Sequence, residues 1–203
     1  ILSRCVGRTG KPHFGLLLGQ RSGLSTLGTV GYLMRSSPDV GTALQMLAGY
    51  LHIHDGGAVV TLDLDGEYAT LGYAILTDGV EAADQILDTA IAIGANLLRE
   101  LCGREWRLVA VKLAHAAPRH VQPYRQAFGV APTFDADASG LVFPATLLRS
   151  ALSSADPILH RLLAERASEA AVGDPDDIVG GLRRALRPAV GTPDCTLEVI
   201  ARR

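Results

Sequence analysis

Few side chains in this 203-residue sequence stand at spacings where they could do chemistry. His52 and His54, two apart, would share one face of an extended segment, and with Asp55 next to them could hold a metal ion. No third ligand has a defined spacing, so a polar exit from a helix into a strand is the plainer reading. Asp63, Asp65 and Glu67 surround Asp65-Gly66, a hairpin turn signal. Acid–base work by paired carboxylates needs a cleft and shifted pKa values. The hairpin register instead puts both aspartates on a solvated face. His115 and Tyr73 differ, because each falls on the apolar face of a strand. A buried histidine or tyrosine must find a hydrogen-bond partner in protein, water or ligand. For His115, a core side chain satisfied by backbone is favoured over contact with a ligand. Arg183, Arg184 and Arg187 lie together on a late helix, where cations sit well near the C-terminus; three charges are few for a phosphate-contacting surface.

The elements that must position these groups can be read from periodicity. Phe14, Leu17 and Leu18 give a helix over Pro12–Arg21, and Leu27, Val30, Leu33 and Met34 another over Thr26–Arg35. Ser37-Pro38-Asp39 reads as N-cap, first helical proline and first-turn acid of a helix burying Leu44, Leu47, Ala48 and Leu51. A hairpin follows. With Asp65-Gly66 as a type I′ loop, Leu64 pairs with Glu67, Leu62 with Ala69 and Val60 with Leu71. One face then holds Val60, Leu62, Leu64, Ala69, Leu71, Tyr73 and Ile75; the other holds Thr61, Asp63, Asp65, Tyr68 and Thr70. Glu81–Cys102 is the strongest helix, with Gly94 permitting close packing on a sheet. A strand runs Leu108–His115, with Val109, Val111, Leu113 and His115 on one face. His120–Phe128 is a short helix, and 131–137 with 141–143 form a second hairpin. Asp156-Pro157 caps a helix to about residue 171, and a further helix reaches about Arg187.

Composition excludes several classes. Apolar residues make up 48% and charged residues 20%, which rules out wholesale disorder. Net charge is −2, without the basic excess of a stand-alone DNA-binding domain. Aromatics at 5% are too sparse for a platform that stacks single-stranded nucleic acid. Cys5, Cys102 and Cys195 lie far apart, with no disulfide framework and no thiolate zinc pattern, as suits a reducing cytoplasm. No apolar run reaches membrane-spanning length and no signal peptide is visible. No Walker A or GxGxxG spacing is present, and no cofactor is expected. The start at Ile1 and the end inside an apparent helix suggest a piece of a longer protein.

Several strings, in order and spacing, resemble one family. They are FGLLLGQRSGLSTLG, SSPDVGTALQMLAGYLHIH, VKLAHAAP, PYRQAFGVAPTFDADASGLVFPATLL and ADPILHRLL, spread from about Phe14 onward. Together they are similar to the N-terminal effector-binding, arabinose-binding-like domain of AraC-type transcription regulators. The subgroup is the one with regulators of ornithine and arginine catabolism and a mycobacterial virulence-associated regulator. The resemblance implies a DNA-binding module of about a hundred residues with two helix-turn-helix units after the effector domain. CTLEVIARR resembles the opening of its first helix, so no base-reading residue falls within this sequence. It also implies a small-molecule effector; known effectors of the family include amino acids, though the apolar strand faces here admit a hydrophobic metabolite equally.

The expectation is therefore an α+β fold: an antiparallel sheet of two hairpins plus a strand, helices mainly on one face, and helical N- and C-terminal segments. A cupin-like barrel is disfavoured by too few strands and too many helices. Residues 1–152 form the effector domain, 153–190 connecting helices and 191–203 the start of the truncated DNA-binding module. The function is effector sensing, with dimerisation as an open second role, in a cytoplasmic regulator that is not an enzyme. Effector contacts are expected from Tyr73, His115, Tyr124, Phe134 and Phe143, and no metal is expected. Two alternatives stay open: a small metabolite enzyme with His115 as general base, and a ligand-free protein-interaction domain with a large exposed apolar patch.

Overall fold

In the computed structural model, which describes residues 1–171 apart from 78, 104 and 105, the fold is α+β. Helices α1 (Leu2–Thr9), α2 (Phe14–Gly19), α3 (Thr29–Arg35) and α4 (Val40–His54) lead into strands β1 (Ala58–Asp65) and β2 (Tyr68–Ile75). Then come α5 (Ala83–Cys102), β3 (Ala110–Lys112), α6 (Gln122–Phe128), β4 (Ser139–Pro144) and α7 (Pro157–Ala171). The four strands form one antiparallel sheet in the order β1-β2-β4-β3. The late helix expected around residues 183–187, Cys195, and the expected end of the connecting segment and start of a DNA-binding module all fall outside the described residues.

The N-terminal helices end where local chemistry ends them. The expected helix over 26–35 splits, because Leu24–Leu27 forms a 3-10 turn and Gly28 takes φ +54° before α3 begins. The cap of α4 is Asp39, whose carboxylate accepts from the Thr42 N–H at 2.7 Å, and not Ser37. Ser37 is fully buried and donates to the Leu33 carbonyl at 2.9 Å, so its hydroxyl serves the end of α3 instead. Such a cap contributes about 1 kcal/mol. Helix α5 begins two residues later than expected, because Ala82 adopts a left-handed φ of 57°.

The first hairpin keeps its faces but shifts its loop. Asp65 pairs with Tyr68, Leu64 with Ala69, Leu62 with Leu71 and Val60 with Tyr73. The loop is therefore Gly66-Glu67, not Asp65-Gly66. Gly66 has φ +58° and is the only one of the two loop residues with positive φ, the pattern of a II′ turn with glycine first. Moving the loop by one residue changes each partner by two positions, so side-chain parity survives. Ala69 and Leu71 are buried and Asp63 and Asp65 are exposed, as the alternation requires.

The second hairpin does not form. β4 instead inserts between β2 and β3, with Leu71 opposite Leu141 and Ala69 opposite Phe143. Residues 133–136 run alongside the end of β3 in parallel, with Thr133 N–H donating to Val111 and Asp135 N–H to His115. The β3 alternation also starts late. The Val109 N–H donates to the Val142 carbonyl while Ala110 pairs with the same residue, the two-against-one count of a β-bulge. Leu108 is consequently buried and Val109 exposed, the reverse of the expected pattern, while Val111 and Leu113 are fully buried.

The core lies between the sheet and helices α4 and α5. Leu44 and Leu47 of α4, and Ile91, Leu97 and Leu98 of α5, meet Leu71, Val111, Leu141 and Phe143. A polar edge of α5 ties down the N-terminal segment. The Gln85 amide donates to the Pro12 carbonyl and accepts from the Gly15 N–H, both at 2.9 Å. Asn96 donates to the Gly19, Gln20 and Ser22 carbonyls. Asp156 caps α7 through the Ile158 and Leu159 N–H groups. Among the described residues, no helix is long and apolar enough to cross a membrane.

Candidate functional site

Helix α5 borders two distinct regions, and four of the five expected ligand residues are divided between them. The first region is a cavity of about 240 Å³ between α5, α4 and the sheet. Leu47 and Leu51 of α4, Val60 of β1, Leu71 of β2, Leu141 of β4 and Leu97 of α5 supply its apolar walls. On α5 the small residues Thr89, Ala90 and Gly94 alternate with Ile86, Ile91, Ile93 and Leu97 along the cavity, and they leave space between the larger side chains. Only at one end is the lining ionisable, where His54, Asp55 and Tyr73 meet. The Tyr73 hydroxyl donates to Asp55 Oδ2 at 3.3 Å, and Asp55 Oδ1 accepts from the Gly57 N–H at 2.9 Å. Burial, then the charge and hydrogen bond of Asp55, hold the phenol protonated well above its ordinary range.

The second region is polar. Asp88 on α5 is only 1% exposed. His115, just past β3, places Nε2 2.9 Å from Asp88 Oδ1. Tyr124 of α6 donates to Asp88 Oδ2 at 2.5 Å. His115 Nδ1 lies 3.0 Å from the Ala116 carbonyl. A carbonyl can only accept, so Nδ1 carries a proton, and the carboxylate calls for a second proton on Nε2. The geometry is that of an imidazolium–carboxylate pair. Burial lowers the His115 pKa, but the hydrogen bonds to Asp88 and Ala116, with the charges of Asp88 and Asp84, outweigh it and raise the pKa above the ordinary value. Phe134 packs edge-on against both His115 and Tyr124, with ring centroids 5.6 and 5.4 Å apart. His115 and Tyr124 also line a polar cleft of about 460 Å³ with Asp84, Arg119 and His120.

So the structure brings His115, Tyr124 and Phe134 together and sets Tyr73 at the other region. Phe143 stands apart from both: it is fully buried in the core on β4. Sequence reasoning missed Asp88, whose position between Gln85 and Ile91 reads as a solvated point on the helix. The available signal was the run Gln85, Asp88, Thr89, Ala92 and Asn96, a second, polar and small-residue stripe on α5. His52 and His54 do not assemble a metal site: no group of three His, Cys, Asp or Glu side chains suited to a metal occurs among the described residues. As a general base His115 is badly placed, because neither ring nitrogen has a free lone pair in this geometry.

The domain is α+β, with a cavity roofed by the long helix α5. The chain belongs to the family described as the arabinose-binding domain of AraC transcription regulators, N-terminal, whose model matches residues 2–152. Among curated relatives, an ornithine utilization regulator from Pseudomonas aeruginosa is 29% identical over 188 residues, covering 91% of this chain and 54% of its own length. The HTH-type transcriptional regulator VirS of Mycobacterium tuberculosis is 26% identical over 197 residues, covering 94% of this chain and 56% of its own. The chain thus spans about half the length of the curated relatives it matches. The crystal structure of the transcriptional regulator CdpR from Pseudomonas aeruginosa shares the fold, with a TM-score of 0.64 at 19% identity over 93% of this chain and 59% of that one.

Proposed function

We propose that this domain senses a small molecule held in the cavity between α5 and the sheet, within an AraC-type regulator that binds operator DNA through a C-terminal helix-turn-helix module. The cavity itself carries the reading: an apolar space with a few convergent polar groups at one end is the usual form of a small-ligand site. Tyr73 is the expected residue that contacts the effector directly. The cluster of Asp88, His115, Tyr124 and Phe134 stands behind α5 as its support, and Phe143 backs the sheet. An effector acts by linkage: it shifts DNA binding only if it prefers one conformation or one dimer geometry. The segment after α7 would carry that shift to the DNA-binding module, and the protein works in the cytoplasm without catalysing a reaction.

The test uses the full-length regulator. Operator affinity is measured with and without cell extract fractions that change it, in the parent and in Ala90→Leu, which fills the cavity. The parent responds and the filled variant does not. An Ala90→Leu protein that responds like the parent would sink the cavity as the effector site. Native mass spectrometry of the same chain reads out a homodimer and any stoichiometric bound mass.

A further inference from the structure

The polar end of the cavity is one-sided in charge, and that restricts what it can hold. Among the described residues lining the cavity there is no lysine or arginine. The single carboxylate there is Asp55, and each of its oxygens has accepted one hydrogen bond, from Gly57 and from Tyr73. A carboxylate oxygen has two acceptor sites, so both can accept again. Asp55 is also the C-cap residue of α4, a 15-residue helix whose negative dipole end points to the same place. Of the last carbonyls of α4, that of Leu51 is already taken by the Asp55 N–H. Two further side-chain polar groups line the walls: the Thr89 hydroxyl, which spends its proton on the Gly15 and Gln85 carbonyls, and the exposed His54 imidazole beside Asp55. A ligand entering here therefore meets apolar walls and, at one end, the Asp55 carboxylate and the negative end of α4, with one histidine next to them.

We infer that the effector is a small apolar molecule ending in a cationic amine, and that Asp55, positioned by Tyr73, selects it against carboxylic acids of the same size. This rests on the cavity being the effector site. The cavity volume of about 240 Å³ falls below the roughly 300–1,000 Å³ of sites for drug-sized ligands, so the molecule is metabolite-sized. A carboxylate head would face Asp55 and the helix C-terminus with no lysine or arginine to receive it. An ammonium head would sit beside both, and its attraction to them is amplified by the low-dielectric walls. A neutral alcohol can donate to Asp55 but gains no charge attraction.

Calorimetric titration of the full chain at pH 8 with n-hexylamine, hexan-1-ol and hexanoate tests the class. Hexylamine binds tightest, about tenfold or more ahead of hexanoate, with the alcohol between them. Asp55→Asn collapses the ratio of amine to carboxylate affinity toward one. Independently of any variant, raising salt from about 0.05 to about 0.5 M weakens the amine and leaves the alcohol unchanged. Equal binding of all three, tighter hexanoate, or an amine preference that survives both Asp55→Asn and high salt overturns the amine class while leaving the cavity reading intact. Binding of none of the three also overturns the class, and the Ala90→Leu operator experiment then decides the cavity separately.

Discussion

Two tyrosine–aspartate pairs flank the α5 region, and they differ in what surrounds them. Tyr124 and Asp88 are both 1% exposed, and His115 adds a second donor to the same carboxylate. Tyr73 and Asp55 are partly exposed, their hydrogen bond is longer at 3.3 Å, and an apolar cavity begins beside them. The chemistry is the same phenol on the same carboxylate. The acceptor count is the same as well, one hydrogen bond to each carboxylate oxygen. Where tyrosine and aspartate are both buried and a histidine braces the same carboxylate, the pair is a strut between α5, α6 and the end of β3. Where the pair is partly exposed beside an apolar cavity, its spare acceptor capacity is available to a ligand. Burial and setting, not residue type, separate support from recognition.

The hardest test of that contrast removes each carboxylate. Asp88→Ala leaves a half-buried imidazole and the buried Tyr124 hydroxyl without their acceptor and costs about 2–4 kcal/mol of stability. Asp55→Ala, at the cavity mouth, costs under about 1 kcal/mol. Urea unfolding with unchanged m-values reads both, and equal losses would erase the distinction. Next in size, Tyr124→Phe removes a hydrogen bond to a charged group and costs about 1.5–3 kcal/mol. Tyr73→Phe costs less, about 0.5–1 kcal/mol, and shows itself in ligand affinity instead. A Tyr73→Phe variant as unstable as Tyr124→Phe would make both pairs structural.

The strut also has a pH signature that the cavity lacks. The folded-state pKa of His115 is raised above its ordinary value. Its stabilisation is thus fully present below about pH 6.5, the unfolded value, and is lost as pH rises through the raised folded pKa. Stability measured by denaturant titration therefore declines from about pH 6.5 upward, and His115→Gln flattens that decline. A parent protein whose stability rises over this range would mean that His115 is neutral in the fold.

Much of the positioning could be read from the chain. The alternation around Val60–Ile75 fixed which face Tyr73 occupies, even though the loop moved by one residue, because parity is insensitive to that shift. The strength of the α5 pattern followed from apolar spacing, and the role of Gly94 from the cost of a glycine inside a helix. The place of β4 did not, because a hairpin and a strand inserted between two others present the same short alternating string, and only the long-range pairing with β2 decides between them. Asp88 was illegible for a related reason. A carboxylate on a helix is solvated by default, and nothing local announces that His115 and Tyr124, 27 and 36 residues away, will arrive to neutralise it.

The smallest effect contrasts the two sides of α5 through glycine. Alanine favours a helix interior over glycine by about 1 kcal/mol, so Gly94→Ala begins with a gain. Its added Cβ would lie 3.0 Å from Leu141 Cδ1 and 3.6 Å from Leu71 Cδ2, and both leucines border the cavity. Leu141 must yield by a few tenths of an ångström, and it borders the cavity, into which it can shift. Gain and strain then nearly cancel, leaving stability within about 1 kcal/mol of the parent. The displaced leucine shrinks the cavity, so ligand affinity falls although stability does not. On the opposite side of α5, a Cβ at Gly15 would run into the Gln85 backbone carbonyl, which cannot yield without moving the helix. Gly15→Ala accordingly costs about 1–3 kcal/mol. Thermal unfolding of the two variants compares the sides directly: a Gly94→Ala loss as large as that of Gly15→Ala would mean that the cavity wall is as rigid as the packed face, and the leucines there would have no freedom to adapt to a ligand.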